Sequence, residues 1–282
     1  MSNFSKLLPY FGLGVKVEEL AKRVLFQARP PMLIDLHVHS RNTPGCPLTP
    51  RDVLRRAREA GLDGVAFTDM NNMDGIAEIR EAGLAEGILA LCGVEIATDH
   101  GHYLAFFPDP EKVPALPQIF GTPPWPVRDV LAKVADMGGA VVAAHPYDKS
   151  IERPGGDVIF TLDALSAVEG LDARRKGSTN DLAVEAADHM GLPCVGGSGA
   201  RDSLGDIGKA ATLFRDPVCN EAGLVAQLKA GTVFCVAIGV TPGPAGARDP
   251  RGREDRGRGG RGGQGRGERG KRRGAGRGGR GR

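Results

Sequence analysis

The 282-residue chain lacks any unbroken apolar run of about 18 residues, the length from which a membrane-spanning helix is recognised. Its N-terminus also lacks a basic segment followed by an apolar stretch and a small-residue cleavage site, the pattern of a secretory signal peptide. We therefore predict a cytoplasmic protein that does not enter membranes. Because 41% of its residues are apolar, the chain can build one large core.

Cysteine is scarce, and its spacing shows no pattern. The five cysteines are scattered along the chain, and none belongs to a Cys-x-x-Cys pair. This usage is typical of a cytosolic protein, and we expect most of these residues to be small, buried and apolar in character.

Positive charge is concentrated at one end of the chain. Residues 241–282 contain thirteen arginines, one lysine and four acidic residues, a net charge of +10, so residues 1–240 carry −7. Arg-Gly repeats fill this segment and apolar side chains are almost absent, which predicts a disordered tail. Arginine neutralises phosphates and stacks on unpaired bases, so we predict that the tail binds RNA or single-stranded nucleic acid. A tail that only solubilises, or folds back on the acidic body, is the alternative.

Strand-like apolar runs alternate with helix-like segments between residues 31 and 240, which predicts one parallel α/β domain. A helix is expected at 50–59. Residues 1–30 form an extension outside this alternation, in which 17–27 is a candidate amphipathic helix. The predicted strands are residues 32–36, 63–68, 89–96, 140–144 and 192–196.

Polar side chains stand where these strands end. His37 and His39 close the first strand, and residues i and i+2 of a strand share a face. Two neighbouring imidazoles form half of a site for a divalent transition metal, although a plain pair of surface or core histidines is the alternative. The carboxyl ends of parallel strands meet at one edge, so polar residues after the later strands should converge with these histidines. They are Asp69, Glu95, His145 and Ser198.

Six short motifs occur in an order and spacing that are specific to one family. They are Asp35-Leu-His-Val-His-Ser40, Phe67-Thr-Asp69, Gly93-Val-Glu-Ile96, Gly101-His-Tyr-Leu104, Ala144-His-Pro146 and Gly196-Gly-Ser198. Through them, residues 32–239 resemble a PHP (polymerase and histidinol phosphatase) domain. The resemblance implies a distorted (β/α)7 barrel with up to three divalent metals at its C-terminal mouth. It also implies hydrolysis of phosphate esters, although some relatives are polymerase-associated domains without metal or activity.

The chain departs from the family pattern at four ligand positions. Met70 and Arg201 replace histidines, Gly199 replaces an aspartate, and the loop after His39 lacks the usual histidine or aspartate. The loop residue and the two histidines together hold one metal in three-metal relatives, so the resemblance implies a site reduced to two metals or to one. Asp202 replaces the lost aspartate only if its loop shifts by one residue.

The resemblance divides the remaining ligands into two sets that share one carboxylate. His37, His39 and Glu95 hold one metal, whereas Glu95, His102 and His145 hold another, with the neighbouring His100 as the alternative to His102. Imidazole and carboxylate ligands of this kind suit Mn²⁺, Zn²⁺ or Fe²⁺. Two bridged metals suffice for hydrolysis, because one lowers the pKa of a bound water and both stabilise charge on the phosphoryl oxygens.

Three arginines and one aspartate are candidates for contact with substrate and for catalysis. Arg201 stands where the family has a metal-binding histidine, and we predict that its guanidinium binds the substrate phosphate. Arg174 and Arg175 either gather phosphate near the mouth or belong to a solvated loop. Asp69 either orients a ligand from behind the site or merely ends its strand.

Two classes of function follow from these residues. The first is a metal-dependent phosphoesterase that acts on nucleotides or RNA ends, which the tail would concentrate near the acidic domain. The second is a catalytically impaired PHP-like scaffold whose tail binds RNA, and the four substituted ligand positions favour it. A phosphatase for an amino-acid precursor such as histidinol phosphate is a weaker alternative, because it gives the tail no role.

Overall fold

Residues 30–239 are described in this computed structural model. The nine strands in that range are β1 Met32–Val38, β2 Gly64–Met70, β3 Leu89–Ala97, β4 His102–Phe106, β5 Ala140–Ala144, β6 Ala167–Asp172, β7 Cys194–Gly197, β8 Ala210–Phe214 and β9 Val233–Ala237. Its α-helices are α1 Pro50–Glu59, α2 Ile76–Glu86, α3 Leu116–Phe120, α4 Val127–Asp136, α5 Gly177–Met190 and α6 Glu221–Ala230.

Two predicted segments lie outside the described residues, namely the helix at 17–27 and the tail at 241–282. The domain boundaries at residues 31 and 240 stay predictions. From residue 30 to residue 239, no helix combines the length and apolarity that crossing a membrane requires.

The nine strands form one sheet in the order β7-β6-β5-β4-β3-β2-β1-β8-β9. Strands β1, β2 and β3 are parallel to one another, as are β5, β6 and β7. Strand β4 is antiparallel to both neighbours, and β8 and β9 add two antiparallel pairings beside β1. These antiparallel strands distort the regular alternation of strand and helix.

The chain that follows β7 returns to β1 and nearly closes the sheet. The Gly199 amide donates a hydrogen bond of 2.8 Å to the His37 carbonyl, and the His39 amide donates one of 2.8 Å to the Ala200 carbonyl. The predicted distorted α/β barrel is therefore confirmed. Its closure places the ends of β1 and β7 side by side.

Strand β1 is buried on both faces. Ile34 and Leu36 of β1 pack in one apolar cluster with residues of α6, whereas Leu33 and Val38 pack in another with residues of α1. A strand that is covered on both faces requires a nearly continuous apolar sequence. The apolar runs therefore located β1, β2, β3, β5 and β7 correctly, and Thr49 and Pro50 begin α1 as expected.

Two strands lose regular register where they carry polar side chains. Between Asp35 and Val38, β1 has one residue more than the facing part of β2. Between Glu169 and Leu171, β6 has one residue more than the facing part of β7. An inserted residue of this kind re-aims side chains, and such irregularities are frequent next to active sites.

The expectation that most cysteines are buried is wrong. Cys46 and Cys92 are buried, Cys219 is exposed, and Cys194 and Cys235 are partly buried. The sulfur atoms of Cys194 and Cys235 lie 2.9 Å apart, where the two edge strands of the sheet approach each other.

Candidate metal centre

The five predicted metal ligands and the three predicted arginines line one cleft of about 320 Å³. His37 belongs to β1 and His39 follows it, Glu95 belongs to β3, His102 begins β4 and His145 follows β5. The barrel therefore brings together ligands that are separated by more than one hundred positions in the chain.

Glu95 lies at the centre of four imidazoles. Its Oε2 atom lies 3.4 Å from His37 Nε2 and 3.1 Å from His39 Nε2. Its Oε1 atom lies 2.8 Å from His102 Nδ1 and 3.1 Å from His145 Nε2. Each carboxylate oxygen thus faces a different pair of histidines, which is the arrangement that a carboxylate shared by two metal ions requires.

The two pairs of histidines define two compact donor sets. The ligand atoms of His37, His39 and Glu95 all lie within 4.8 Å of one another, and so do those of Glu95, His102 and His145. Four of these five side chains are buried, and His102 is partly exposed. The residues present therefore fit divalent metal ions, with one donor set on each side of Glu95.

The charges in the cluster favour an ionised carboxylate. Burial raises the pKa of Glu95, but the charge on His37 and the hydrogen bonds with His102 and His145 outweigh it, and the pKa falls well below its ordinary value. Burial lowers the pKa of His37, but the carboxylates of Glu169 and Glu95 raise it well above its ordinary value. The anion at the centre thus attracts positive charge, whether protons or metal ions provide it.

Glu169, a buried residue of β6, supports the site from behind and was missed by the sequence analysis. Its Oε1 accepts a hydrogen bond of 2.9 Å from His37 Nδ1, and its Oε2 accepts one of 2.9 Å from the His145 amide. The first bond leaves His37 Nε2 directed at Glu95. In the sequence, Glu169 is an acidic residue within an apolar run, which indicates a buried carboxylate. Such a carboxylate requires hydrogen-bonding or charged partners, and this could have marked Glu169 as a site residue.

Asp69 acts through the loop after β1. It accepts hydrogen bonds from the Ser40 amide and hydroxyl, at 2.6 and 2.7 Å, and from the Thr43 hydroxyl at 2.7 Å. The single hydroxyl proton of Thr43 is thereby committed, so Thr43 accepts from His39 Nδ1, which lies 3.1 Å away. Asp69 therefore fixes His39 with Nε2 towards Glu95, and its contribution to catalysis stays a prediction.

Ser198 connects β7 to β1 and does not line the cleft. Its amide donates a hydrogen bond of 2.8 Å to Asp35 Oδ1, which the His37 amide also approaches, at 3.2 Å. Burial raises the pKa of Asp35 to about 7, against the lowering effect of these hydrogen bonds. Ser198 thus holds the strand end that carries His37.

The three arginines surround the mouth and already have protein partners. Arg201 Nη2 donates to the Pro44 carbonyl at 3.0 Å, and Arg174 Nη1 donates to the Gly199 carbonyl at 3.2 Å. Arg175 forms ion pairs of 3.1 Å with two carboxylates, those of Asp148 and Asp172.

Asp202 lines the cleft but belongs to none of the donor sets found among residues 30–239. Its side chain is 63% exposed and forms an ion pair with Arg174. The structure therefore gives no support to the one-residue shift that would make Asp202 a ligand.

Two family models match the chain. The model described as PHP domain matches residues 35–152, and the model described as PHP-associated matches residues 177–233. An uncharacterized protein of Methanocaldococcus jannaschii is 31% identical over 164 residues, which are 54% of this chain and 90% of that protein. A 3′,5′-nucleoside bisphosphate phosphatase of Chromobacterium violaceum is 40% identical over 70 residues, which are 25% of this chain and 24% of the phosphatase.

A solved structure shares the fold. Endonuclease Q, in complex with a 27-mer duplex that has an abasic lesion at the active site, superposes with a TM-score of 0.55 at 15% identity. The superposition covers 72% of this chain and 58% of the endonuclease. The two matching models, with the relative from M. jannaschii, show that the chain belongs to the PHP family.

Proposed function

We propose that the protein is a metal-dependent phosphoesterase that holds two divalent ions and hydrolyses phosphate esters of nucleotides or of nucleic-acid ends. The observation that carries this proposal is Glu95, whose two oxygens face two different pairs of histidines. A non-catalytic scaffold has no need of a buried carboxylate among four imidazoles, because burying such groups costs free energy unless they bind something.

In the proposed reaction, the protein's side chains hold the metal ions and orient the ligands and the substrate. When bound, the metal ions would activate water and stabilise charge on the phosphoryl oxygens. Glu169 and Thr43 direct the Nε2 atoms of His37 and His39 into the cleft. The guanidinium of Arg201 lines the cleft, where it can contact a substrate phosphate. Its hydrogen bond to the Pro44 carbonyl uses only one of its five N–H donors.

The substrate class rests on two supports. The bisphosphate phosphatase resembles the segment of this chain that it matches, and the endonuclease shares the fold. In addition, Arg174, Arg175 and Arg201 line the cleft and offer positive charge to phosphate.

A substrate panel tests the proposal. The full chain is loaded separately with Mn²⁺, Zn²⁺ and Fe²⁺ and given a nucleoside 3′,5′-bisphosphate, a 5′-phosphorylated RNA oligonucleotide, DNA with an abasic site, and histidinol phosphate. We expect metal-dependent hydrolysis of one of the first two. Metal binding without turnover of any of the four would favour the scaffold, and turnover of histidinol phosphate alone would exclude the proposed substrate class.

Replacement of Arg201 with alanine is expected to raise KM about tenfold or more and to leave metal content unchanged, since it removes charge-assisted hydrogen bonds to phosphate. Steady-state kinetics and elemental analysis measure the two quantities. Arg128→Ala, which removes an arginine of α4 whose contacts are with Thr161, is the matched control. An unchanged KM in the Arg201 variant would remove Arg201 from the site.

Binding of RNA or single-stranded nucleic acid by residues 241–282 stays a prediction, because this tail lies outside the described residues. The full chain should bind a single-stranded oligonucleotide without sequence preference, and its affinity should fall steeply as salt rises. A chain that ends at Val240 should lose this binding in a fluorescence anisotropy titration. Equal affinity of the two chains would assign the binding to the barrel instead. A cytoplasmic location, which the scattered cysteines favour, also stays a prediction.

A further inference from the structure

A carboxylate fills the space beside Gly199, the position where the resemblance places a lost aspartate ligand. Gly199 has a φ of +60°. A β-carbon added there would lie 2.6 Å from Asp172 Oδ1 and 2.9 Å from Asp172 Oδ2. The Asp172 carboxylate at the end of β6 therefore occupies the room that a side chain at position 199 would need.

The Asp172 carboxylate is fully buried, and one of its oxygens lacks a hydrogen bond. Oδ1 accepts a hydrogen bond of 2.8 Å from the Arg174 amide. Oδ2 forms an ion pair with Arg175 Nε at 3.1 Å, but it has no hydrogen-bond partner among the described residues. The ion pair offsets part of the cost of burying this carboxylate, and an oxygen without a hydrogen bond can accept a further group or ion.

The Asp172 carboxylate also belongs to a compact donor set. One donor atom from each of His37, His145, Glu169 and Asp172 lies within 4.8 Å of all the others. His37 belongs to the first of the two proposed metal positions and His145 to the second. Asp172 is thus close to a histidine of each set, and it reaches the cluster from a different strand than position 199 does.

We propose that Asp172 supplies the metal-binding carboxylate that Gly199 cannot. Compared with the pattern of the family, the carboxylate ligand comes from the end of β6 and not from the loop after β7. Glycine at position 199 leaves space for this carboxylate. This inference rests on the proposed function, because it requires that the cluster binds metal. With Asp172, the proposed site would have two carboxylate ligands, Glu95 and Asp172, instead of Glu95 alone.

Four variants of the full chain test the inference through metal binding. Asp172→Asn keeps the size of the side chain and removes its charge. Gly199→Asp places a second carboxylate against the first. The double variant Asp172→Ala/Gly199→Asp returns the carboxylate to position 199. Asp148→Asn is the matched control, because Asp148 is the other carboxylate that pairs with Arg175 at 3.1 Å.

Mn²⁺ content by elemental mass spectrometry and Mn²⁺ affinity by calorimetric titration are the readouts. We expect Asp172→Asn to weaken one of two sites about tenfold or more, in line with the loss of a group that contacts a metal centre. Gly199→Asp should also bind less Mn²⁺, because its β-carbon would displace the Asp172 carboxylate. The double variant should regain the second ion, and Asp148→Asn should keep both.

Two results would overturn the inference while leaving the proposed function intact. One is a wild-type Mn²⁺ content and affinity in Asp172→Asn. The other is an equal loss in Asp172→Asn and Asp148→Asn, which would mean that both residues act only by holding Arg175. Failure of the wild-type chain to bind any metal would instead overturn the proposed function, and the inference with it.

Discussion

Replacement of Glu95 with glutamine is expected to remove both metal ions and all metal-dependent hydrolysis. Both proposed donor sets include Glu95, so this one substitution removes a ligand from both metal positions. Glutamine keeps the shape of the side chain, but it carries no charge and replaces one oxygen by an NH2 group that cannot bind a metal. The four surrounding imidazoles would then face each other without an anion. Metal content and phosphate release are measured on the same preparation.

A buried glutamate elsewhere in the barrel provides the control for this variant. Glu221 is 3% exposed, accepts a hydrogen bond from the Cys92 amide and pairs with Arg80 at 2.8 Å. Glu221→Gln should lower thermal stability and keep both metals. If Glu95→Gln retained one ion at wild-type affinity, Glu95 would not be shared. If both variants lost metal together, the loss would reflect general destabilisation.

Replacement of Glu169 with glutamine is expected to weaken metal binding about 10- to 100-fold, the effect typical of partners that orient metal ligands. Glu169 accepts two hydrogen bonds, from the His37 ring and from the His145 amide, and each uses its own oxygen. Glutamine has one oxygen, so one of these buried donors must lose its acceptor, at a cost of about 1–3 kcal/mol.

Metal titration and thermal unfolding measure the two effects of Glu169→Gln. Glu185→Gln, which alters an exposed residue of α5, should change neither quantity. Unchanged metal affinity in Glu169→Gln would show that the orientation of His37 does not depend on this contact, and the account of how the ring is directed at Glu95 would be wrong.

The sequence predicted five of the nine strands between residues 30 and 239, and it missed β4, β6, β8 and β9. Strand β6 was missed because Glu169 and Asp172 interrupt its apolar pattern. Strand β4 was missed because it is short and begins with a polar residue, His102. His102 of β4 and Glu169 of β6 both belong to or support the candidate site. These polar side chains therefore support the proposed function and also hide the strands from a search for apolar runs.

The candidate ligands and Asp69 could be found from motifs, but the supporting residue Glu169 and the role of Asp172 could not. His37 and His39 carry a local signal, because their spacing puts them on one face of a strand. Glu169 lies 132 positions from His37, and nothing in either segment indicates that they meet. Likewise, only the closed barrel shows that Asp172 fills the space beside Gly199.

The arginines illustrate the same limit. The resemblance placed Arg201 at the site, whereas the sequence left Arg174 and Arg175 either near the mouth or in a solvated loop. All three line the cleft in the structure. The pairing of Arg174 with Asp202, and of Arg175 with Asp148 and Asp172, depends on three-dimensional contacts. Arg175, which two carboxylates hold, therefore has less free charge for phosphate than its sequence context suggests.

The most direct test of the central claim is the metal content of the purified full chain, measured by elemental mass spectrometry after separate incubation with Mn²⁺, Zn²⁺ and Fe²⁺ and removal of free metal. Two donor sets that share Glu95 predict two ions per chain with at least one of these metals. A chain that retains none of the three would contradict a dinuclear phosphoesterase and leave the barrel as a scaffold.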